Sequence, residues 1–126
     1  MNNPDQIQTY HKEFKDVLST KERITLCKDV REKHPGRIPI IVQPRNKDAK
    51  YQLKKYKFLC PEELTFGQFV YTIRRRLSGL RHEHALFVSI NNTLQCNSSI
   101  VMDIYEKHKD DDGFLYVTYS EENTFG

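Results

Sequence analysis

The stretch that decides the fold is Lys57-Phe58-Leu59-Cys60-Pro61-Glu62-Glu63-Leu64-Thr65-Phe66-Gly67-Gln68-Phe69-Val70-Tyr71-Thr72-Ile73-Arg74-Arg75-Arg76-Leu77. Its hydrophobic period changes part-way. Residues 57–60 read as a short strand closed by Pro61, which cannot donate to a ladder. Thr65 and Gln68 then form a T-x-x-Q capping box, each side chain satisfying the other's free backbone N–H. Behind it Phe66, Phe69, Val70, Ile73 and Leu77 fall on one side of a helix. Arg74, Arg75 and Arg76 follow at its end, where cations favour the helix dipole.

Working outward toward the N-terminus, residues 43–56 are polar and basic and predict a loop or loose hairpin. Before them Arg37-Ile38-Pro39-Ile40-Ile41-Val42 reads as a strand rich in β-branched residues, with Pro39 placing it, or this part of it, at an edge. Ser19 and Glu22 form a second capping box, opening a helix over residues 20–33 with Ile24, Cys27 and Val30 as its apolar stripe. His34-Pro35-Gly36 stops it. Residues 4–18 carry Ile7, Tyr10, Phe14, Val17 and Leu18 at helical spacing, with Pro4 at a suitable start.

Toward the C-terminus, residues 85–90 read as a third strand and Asn91-Asn92 as a turn. Asn97 or Ser98 is the expected cap of a short helix containing Ile100, Val101, Ile104 and Tyr105. Asp111-Asp112-Gly113 is a turn before a last strand over residues 114–119. Residues 120–126 are expected to form a flexible tail. The order is two helices followed by β-β-α-β-α-β. It fits a β-grasp, in which a mixed sheet wraps one main helix, and also a ferredoxin-like layout.

The 126 residues suit one domain with a core of its own. The first residues lack the blocks of a signal peptide, and no apolar run approaches the roughly 20 residues of a membrane helix. Net charge is +3, but unevenly spread. Residues 1–35 carry seven basic and six acidic side chains, residues 36–82 eleven and three, and residues 83–126 two and eight. The middle segment, at +8, offers a basic surface suited to acidic peptides, phosphates or anionic membranes, and the last third, at −6, an acidic one.

Several chemistries find no support. Cys27, Cys60 and Cys96 are widely spaced with no C-x-x-C pair, which argues for free thiols in a reducing compartment. No local signature joins a cysteine to a histidine base and an orienting group. His82-x-His84 reads as surface sequence, because no cysteine or carboxylate cluster accompanies it. Asp110-Asp111-Asp112-Gly113 resembles part of a calcium loop. Yet Glu121, the twelfth position from Asp110, lies beyond the expected strand, so a tight acidic turn is the better reading. The aromatics near Arg74, Arg75 and Arg76 are spaced for a core and not for base stacking, so no nucleic-acid partner is expected.

The chain ends Thr124-Phe125-Gly126. A polar tail ending in Gly, which has no Cβ, suits chemistry in which a terminal carboxylate threads narrow enzyme channels. With that end the chain resembles the autophagy ubiquitin-like modifiers, the family of GABARAP and the microtubule-associated protein light chain 3. The matching blocks are Arg37-Ile38-Pro39-Ile40-Ile41-Val42; Lys57-Phe58-Leu59-Cys60-Pro61 with Leu64-Thr65-Phe66-Gly67-Gln68-Phe69-Val70; Ile73-Arg74-Arg75-Arg76; Asp112-Gly113-Phe114-Leu115-Tyr116-Val117-Thr118-Tyr119; and Glu122-Asn123-Thr124-Phe125-Gly126. The resemblance covers about residues 21–126.

The resemblance implies an α+β fold: a ubiquitin-like β-grasp over residues 36–126, with a tail from about 120, and two additional N-terminal helices in residues 1–35. It implies no catalytic residues, no cofactor and no metal. Gly126 would be joined to phosphatidylethanolamine by ubiquitin-like activating and conjugating enzymes. An autophagy cysteine protease would recognise Phe125 and Gly126 and cut after Gly126. The protein would be cytoplasmic and, once lipidated, on the autophagosome membrane. Cargo receptors and adaptors would dock short aromatic-x-x-aliphatic motifs on the edge at residues 57–60. Val30, Pro39, Ile41, Lys57, Leu59 and Phe114 match the family's aromatic pocket. Phe58, Cys60, Pro61, Leu64, Phe69, Ile73 and Arg76 match its aliphatic pocket, and Lys55 and Lys57 would meet acidic residues of the motif. Without the resemblance, Leu59, Ile41 and Phe69 read simply as core. The chain departs from the family at Leu26, where an acid is usual, and at Thr72, where an aliphatic residue is. Cys60 replaces a common Val, and Ser19-Thr20 stand where an aromatic usually opens the second helix. A non-conjugated trafficking or cytoskeletal adaptor is the alternative, meeting acidic microtubule tails only through the first 82 residues.

Overall fold

The computed structural model describes residues 13–46 and 49–121. Of the helix expected over residues 4–18, residues 4–12, with Ile7 and Tyr10, lie outside the described residues, and the described part holds one short turn, α1 (Phe14–Val17). It ends because Leu18 is extended. Phe14 is buried while Val17 is 53% exposed.

Helix α2 (Thr20–Lys33) begins at the Ser19/Glu22 capping box, with both reciprocal bonds present. Its buried face differs from the expected stripe. Cys27 is inside, but Ile24 is 45% exposed and Arg23 takes the buried position instead. The reason is an ion pair: Arg23 Nε donates to Asp112 at 2.9 Å, and the guanidinium also reaches the Lys15 and Leu18 carbonyls. That network rotates the helix by one residue relative to the hydrophobic count.

The strands are β1 (Arg37–Pro44), β2 (Lys57–Pro61), β3 (Phe87–Ile90), β4 (Thr93–Leu94) and β5 (Leu115–Ser120), in sheet order β2-β1-β5-β3-β4. The outer pairings are antiparallel, but β1 runs parallel to β5. First and last long strands side by side and parallel make a β-grasp and exclude the ferredoxin-like layout. Strand β1 is therefore interior, against the expectation from Pro39. Pro39 is tolerated there for a definable reason. The Val42 N–H bonds to the Tyr56 carbonyl, so the even-numbered residues of β1 serve β2 and the odd-numbered ones face β5. The β5 ladder begins only at Ile40, one residue past Pro39, so no bond is lost.

The same alternation divides the core. Ile38, Ile40 and Val42 pack beneath helix α3 (Phe66–Arg76) and helix α4 (Val101–His108), while Ile41 joins Phe14, Cys27 and Phe114 on the other face, under α1 and α2. Each fully buried aliphatic contributes roughly 1.5–3 kcal/mol. Phe69 and Ile73 of α3 and its C-cap Leu77 are buried as the sequence predicts.

The Thr65/Gln68 capping box is present. Neither Asn97 nor Ser98 caps α4; its N-cap is Ile100, with no side-chain cap. Backbone carbonyls do the work. Val101 and Met102 donate to Leu64 and Glu62, while Phe66 and Gly67 donate back to Ser99 and Asn97. The two helix starts thus supply each other's missing acceptors. Gly67 permits this approach, since a Cβ there would lie 3.2 Å from Asn97 Cβ.

Asn91 and Asn92 both have positive φ, 52° and 61°, as a two-residue type I′ hairpin turn requires. They join β3 to the short β4, which the sequence reading missed. Gly113, with φ +95°, turns the chain into β5. The last strand extends through Ser120, which is buried and pairs with Phe87; of the tail expected over residues 120–126, residues 122–126 lie outside the described residues.

Candidate functional site

Strand β2 is an edge of the sheet, bonded on one side only. Because Phe58 and Cys60 face the even residues of β1, the backbone groups of Lys57 and Leu59 point outward. The Arg37 guanidinium approaches the outward Leu59 carbonyl at 3.4 Å. An edge of this kind is an acceptor and donor row for another strand.

Side chains alternate across this edge. Phe58 and Cys60 are buried toward α3, while Leu59 is half-buried and Lys57 exposed on the α2 side. Each face carries a hollow. On the α2 side a cavity of about 230 Å³ is lined by Leu26, Val30, His34, Pro39, Ile40, Lys57, Phe58, Leu59 and Phe114. On the α3 side one of about 160 Å³ is lined by residues 57–61 with Leu64, Phe69, Thr72 and Arg76.

Five of the six residues matched to the aromatic pocket, Val30, Pro39, Lys57, Leu59 and Phe114, line the first hollow together. Ile41 does not; it is wholly buried behind the sheet surface with Phe14 and Cys27. Of those matched to the aliphatic pocket, Phe58, Cys60, Pro61, Leu64, Phe69 and Arg76 line the second hollow. Ile73 is 0% exposed and packs beneath it. Leu59, read as core without the family pattern, is in fact half-exposed at the edge. Lys57 borders both hollows, whereas Lys55 lies in a neighbouring basic cleft. Phe125 and Gly126 lie outside the described residues.

The chemistry of the lining is mostly apolar. Burial pushes the Cys60 thiol up to about 11, with Arg37 opposing and Glu63 adding, so it stays a neutral wall atom. Thr72 donates its hydroxyl to the Gln68 carbonyl at 3.1 Å, which spends its polarity inside the helix. The Arg76 guanidinium lies 5.4 Å over the Phe58 ring and Lys57 Nζ 5.6 Å over Phe14. These contacts orient both cations at the rims.

Sequence reasoning missed His34, which borders the aromatic hollow from the end of α2. It also missed the support behind that hollow. Asp112 accepts from Arg23, from the Phe114 N–H at 2.8 Å and from the Tyr116 hydroxyl. A buried arginine on a helix stripe was the available signal. His84, of the His82-x-His84 pair, accepts the Arg81 N–H at Nδ1 and packs against Tyr51, so it braces its loop against the segment before β2. No group of metal-ligating side chains occurs among the described residues, and no described helix is long and apolar enough to cross a membrane.

A sequence profile described as "Autophagy protein Atg8 ubiquitin like" matches residues 22–126. The chain belongs to the Atg8 family. It is 46% identical to autophagy-related protein 8 of Schizosaccharomyces pombe over 114 residues, which covers 90% of this chain and 93% of that one. Autophagy-related protein 8a of Arabidopsis thaliana is 46% identical over 113 residues, 90% of this chain and 92% of its own. Among solved structures, Trypanosoma brucei ATG8 matches with TM-score 0.79 and 43% identity, covering 91% of this chain and 98% of that one. Plasmodium falciparum Atg8, solved in complex with a Plasmodium falciparum Atg3 peptide, matches with TM-score 0.79 and 29% identity over 88% and 97% of the two chains. Atg8 proteins are ubiquitin-like modifiers and not enzymes, and this chain is an autophagy protein of that kind.

Proposed function

We propose that this Atg8 protein docks aromatic-x-x-aliphatic motifs on β2 and is conjugated through Gly126 to phosphatidylethanolamine. One observation carries the docking reading: two apolar hollows flank a single edge strand on opposite faces of the sheet. In an extended strand successive side chains alternate, so positions three apart point to opposite faces. A bound strand would add its backbone to the outward groups of Lys57 and Leu59 and send its aromatic ring one way and its aliphatic group the other. The larger hollow, about 230 Å³, suits the ring, and the smaller, about 160 Å³, the branched chain. The N-terminal extension of residues 1–35 supplies the α2 wall of the first hollow through Leu26 and Val30. Among the described residues no carboxylate lines that hollow, so an indole N–H finds no anionic acceptor there and a phenyl ring fits at less desolvation cost.

The conjugation reading rests on Thr124-Phe125-Gly126 and on family membership. A relative binds an Atg3 peptide, which supports partnership with the conjugation machinery here. Activating and conjugating enzymes, a cysteine protease that cuts after Gly126, and cargo receptors are the proposed partners. The protein acts in the cytoplasm and, after conjugation, at the autophagosome membrane.

Backbone amide spectra test the docking claim. A peptide with an aromatic-x-x-aliphatic core should shift residues 57–60, and deleting one spacer should abolish the shift. Equal shifts from both peptides reject it. For conjugation, Gly126→Ala should stop lipidation in a reconstituted assay; normal lipidation of that variant rejects the claim.

A further inference from the structure

A third cleft, of about 460 Å³, opens between the segment leading into β2 and the end of α3. Among the described residues its lining is Leu53, Lys54, Lys55, Arg75, Arg76 and Ser78: four cations and no acid. Among the described residues none of the four forms an ion pair. Arg75 and Arg76 lie over the Tyr71 and Phe58 rings, at 5.8 and 5.4 Å, which fixes them on one rim. Such a concentration of unneutralised donors fits phosphate oxygens.

Its position in the fold says which phosphates. Strand β2 starts beside the end of β1, which is paired with the end of β5: Lys57 opposes Ile41, and Pro44 pairs with Tyr119. The segment before β2 is tied to the end of β5 directly. The Tyr119 hydroxyl donates to the Tyr51 carbonyl at 3.0 Å, and the Tyr51 N–H donates to the Glu121 carboxylate at 3.1 Å. Strands β2 and β5 are separated only by β1, about 10 Å apart in all. The cleft therefore opens at the end of the sheet from which the chain leaves toward Gly126. Five residues follow Glu121, a reach of at most about 18 Å.

We propose that this cleft contacts the phosphates of anionic lipid headgroups and seats the tail end of the sheet against the membrane. The proposal rests on conjugation at Gly126 for its biological setting. A lipid-joined terminus, with a tail reach of at most about 18 Å, lets the four cations come within one Debye length of the surface, about 8 Å. Attraction to an anionic leaflet then selects one orientation of the domain. The same orientation turns the opposite end of the sheet, where β1 begins, away from the membrane.

Vesicle flotation of the full, unconjugated chain tests the contact. Binding to vesicles of phosphatidylcholine with phosphatidylserine should exceed binding to phosphatidylcholine alone, and the excess should fall as salt rises. Lys54→Glu/Arg75→Glu, two exposed positions outside the proposed docking edge, should lower the excess by about tenfold or more. Lys28→Glu/Lys33→Glu makes the same change in net charge on exposed α2 and should have a much smaller effect. Equal loss in both variants, or no preference for the anionic vesicles, overturns the proposal. So does an acidic phosphopeptide that shifts the amides of Lys54 and Ser78 when anionic vesicles leave them unmoved, which would assign the cleft to peptide docking. Gly126→Ala should keep the vesicle preference, so failure of conjugation and failure of the headgroup contact are read separately.

Discussion

Arg23 Nε donates to Asp112 Oδ2 at 2.9 Å, and both residues are buried, at 7% and 2% exposure. This pair bolts α2 to the turn that starts β5, and with α2 come Leu26 and Val30 of the aromatic hollow. Arg23→Leu leaves a buried carboxylate short of its cation and should cost about 3–5 kcal/mol, read from urea unfolding. Arg23→Leu/Asp112→Leu should cost less than the sum of the single changes. Strict additivity would show that the pair is not coupled.

Gly113→Ala should destabilise on two counts. Its φ is +95°, and an added Cβ would lie 2.7 Å from Cys27 Sγ. A loss of roughly 1–3 kcal/mol is expected. Adding Cys27→Ala removes the collision but not the backbone strain, so the pair should recover only part of the loss in thermal unfolding.

Thr65→Ala removes one arm of the box that starts α3, where the hydroxyl accepts the Gln68 N–H at 3.2 Å. A decrease of about 1 kcal/mol is expected. Because Phe69, Thr72 and Arg76 are carried on α3, peptide affinity at the smaller hollow should fall with it. Calorimetric titration beside a denaturant curve separates the two effects.

One of the three thiols should react well before the other two. Cys96 is exposed and its thiol is lowered by hydrogen bonds from the Ser98 side chain and backbone. Cys27 and Cys60 are buried, and burial pushes both up to about 11. Since the thiolate is the nucleophile, Cys96→Ser should leave native protein almost inert to iodoacetamide at neutral pH. Fast labelling of Cys60 in that variant, seen by peptide mass spectrometry, would contradict the buried wall described for the aliphatic hollow.

Asp110 gives a signed pH dependence. Burial alone would raise its carboxyl, but the Lys15 ammonium at 2.6 Å and the Asp112 N–H outweigh that and hold it below its ordinary value. A carboxyl lowered in the folded state stabilises fully above its unfolded pKa, about 3.9, and that stability is lost as pH falls through the lower folded value. The contribution is under about 1 kcal/mol for so exposed a pair. Lys15→Met should lower stability by under about 1 kcal/mol above pH about 4 and leave it unchanged in strong acid, where Asp110 is protonated in both states, so the acid limb becomes flatter.

Much of this architecture was legible because local signals agreed. Both capping boxes and the β-branched run at Ile38–Val42 predict elements that the structure contains. Failures came where a distant partner set the local choice. Ile24 is exposed because Asp112, far along the chain, holds Arg23 inside. Pro39 sits in an interior strand because its neighbour starts one residue late. The cap expected at Asn97 or Ser98 is replaced by carbonyls from residues 62 and 64. At the site, family pattern identified most of the lining, but Ile41 and Ile73 show that a matched position can lie behind a wall instead of on it. His34 carried no local pattern that marked it; only the packing of α2 brings it to the rim.

The exchanged carbonyls leave α3 and α4 without separate beginnings. Freeing Val101 and Met102 from Leu64 and Glu62 also frees the segment whose partners cap Phe66 and Gly67. The two first turns must therefore fray as one cooperative unit and not as two. Leu64 belongs to that unit and to the smaller hollow at once. A guest side chain wedged against Leu64 in the proposed docking should thus quiet breathing motions in residues 97–102, which it would not touch.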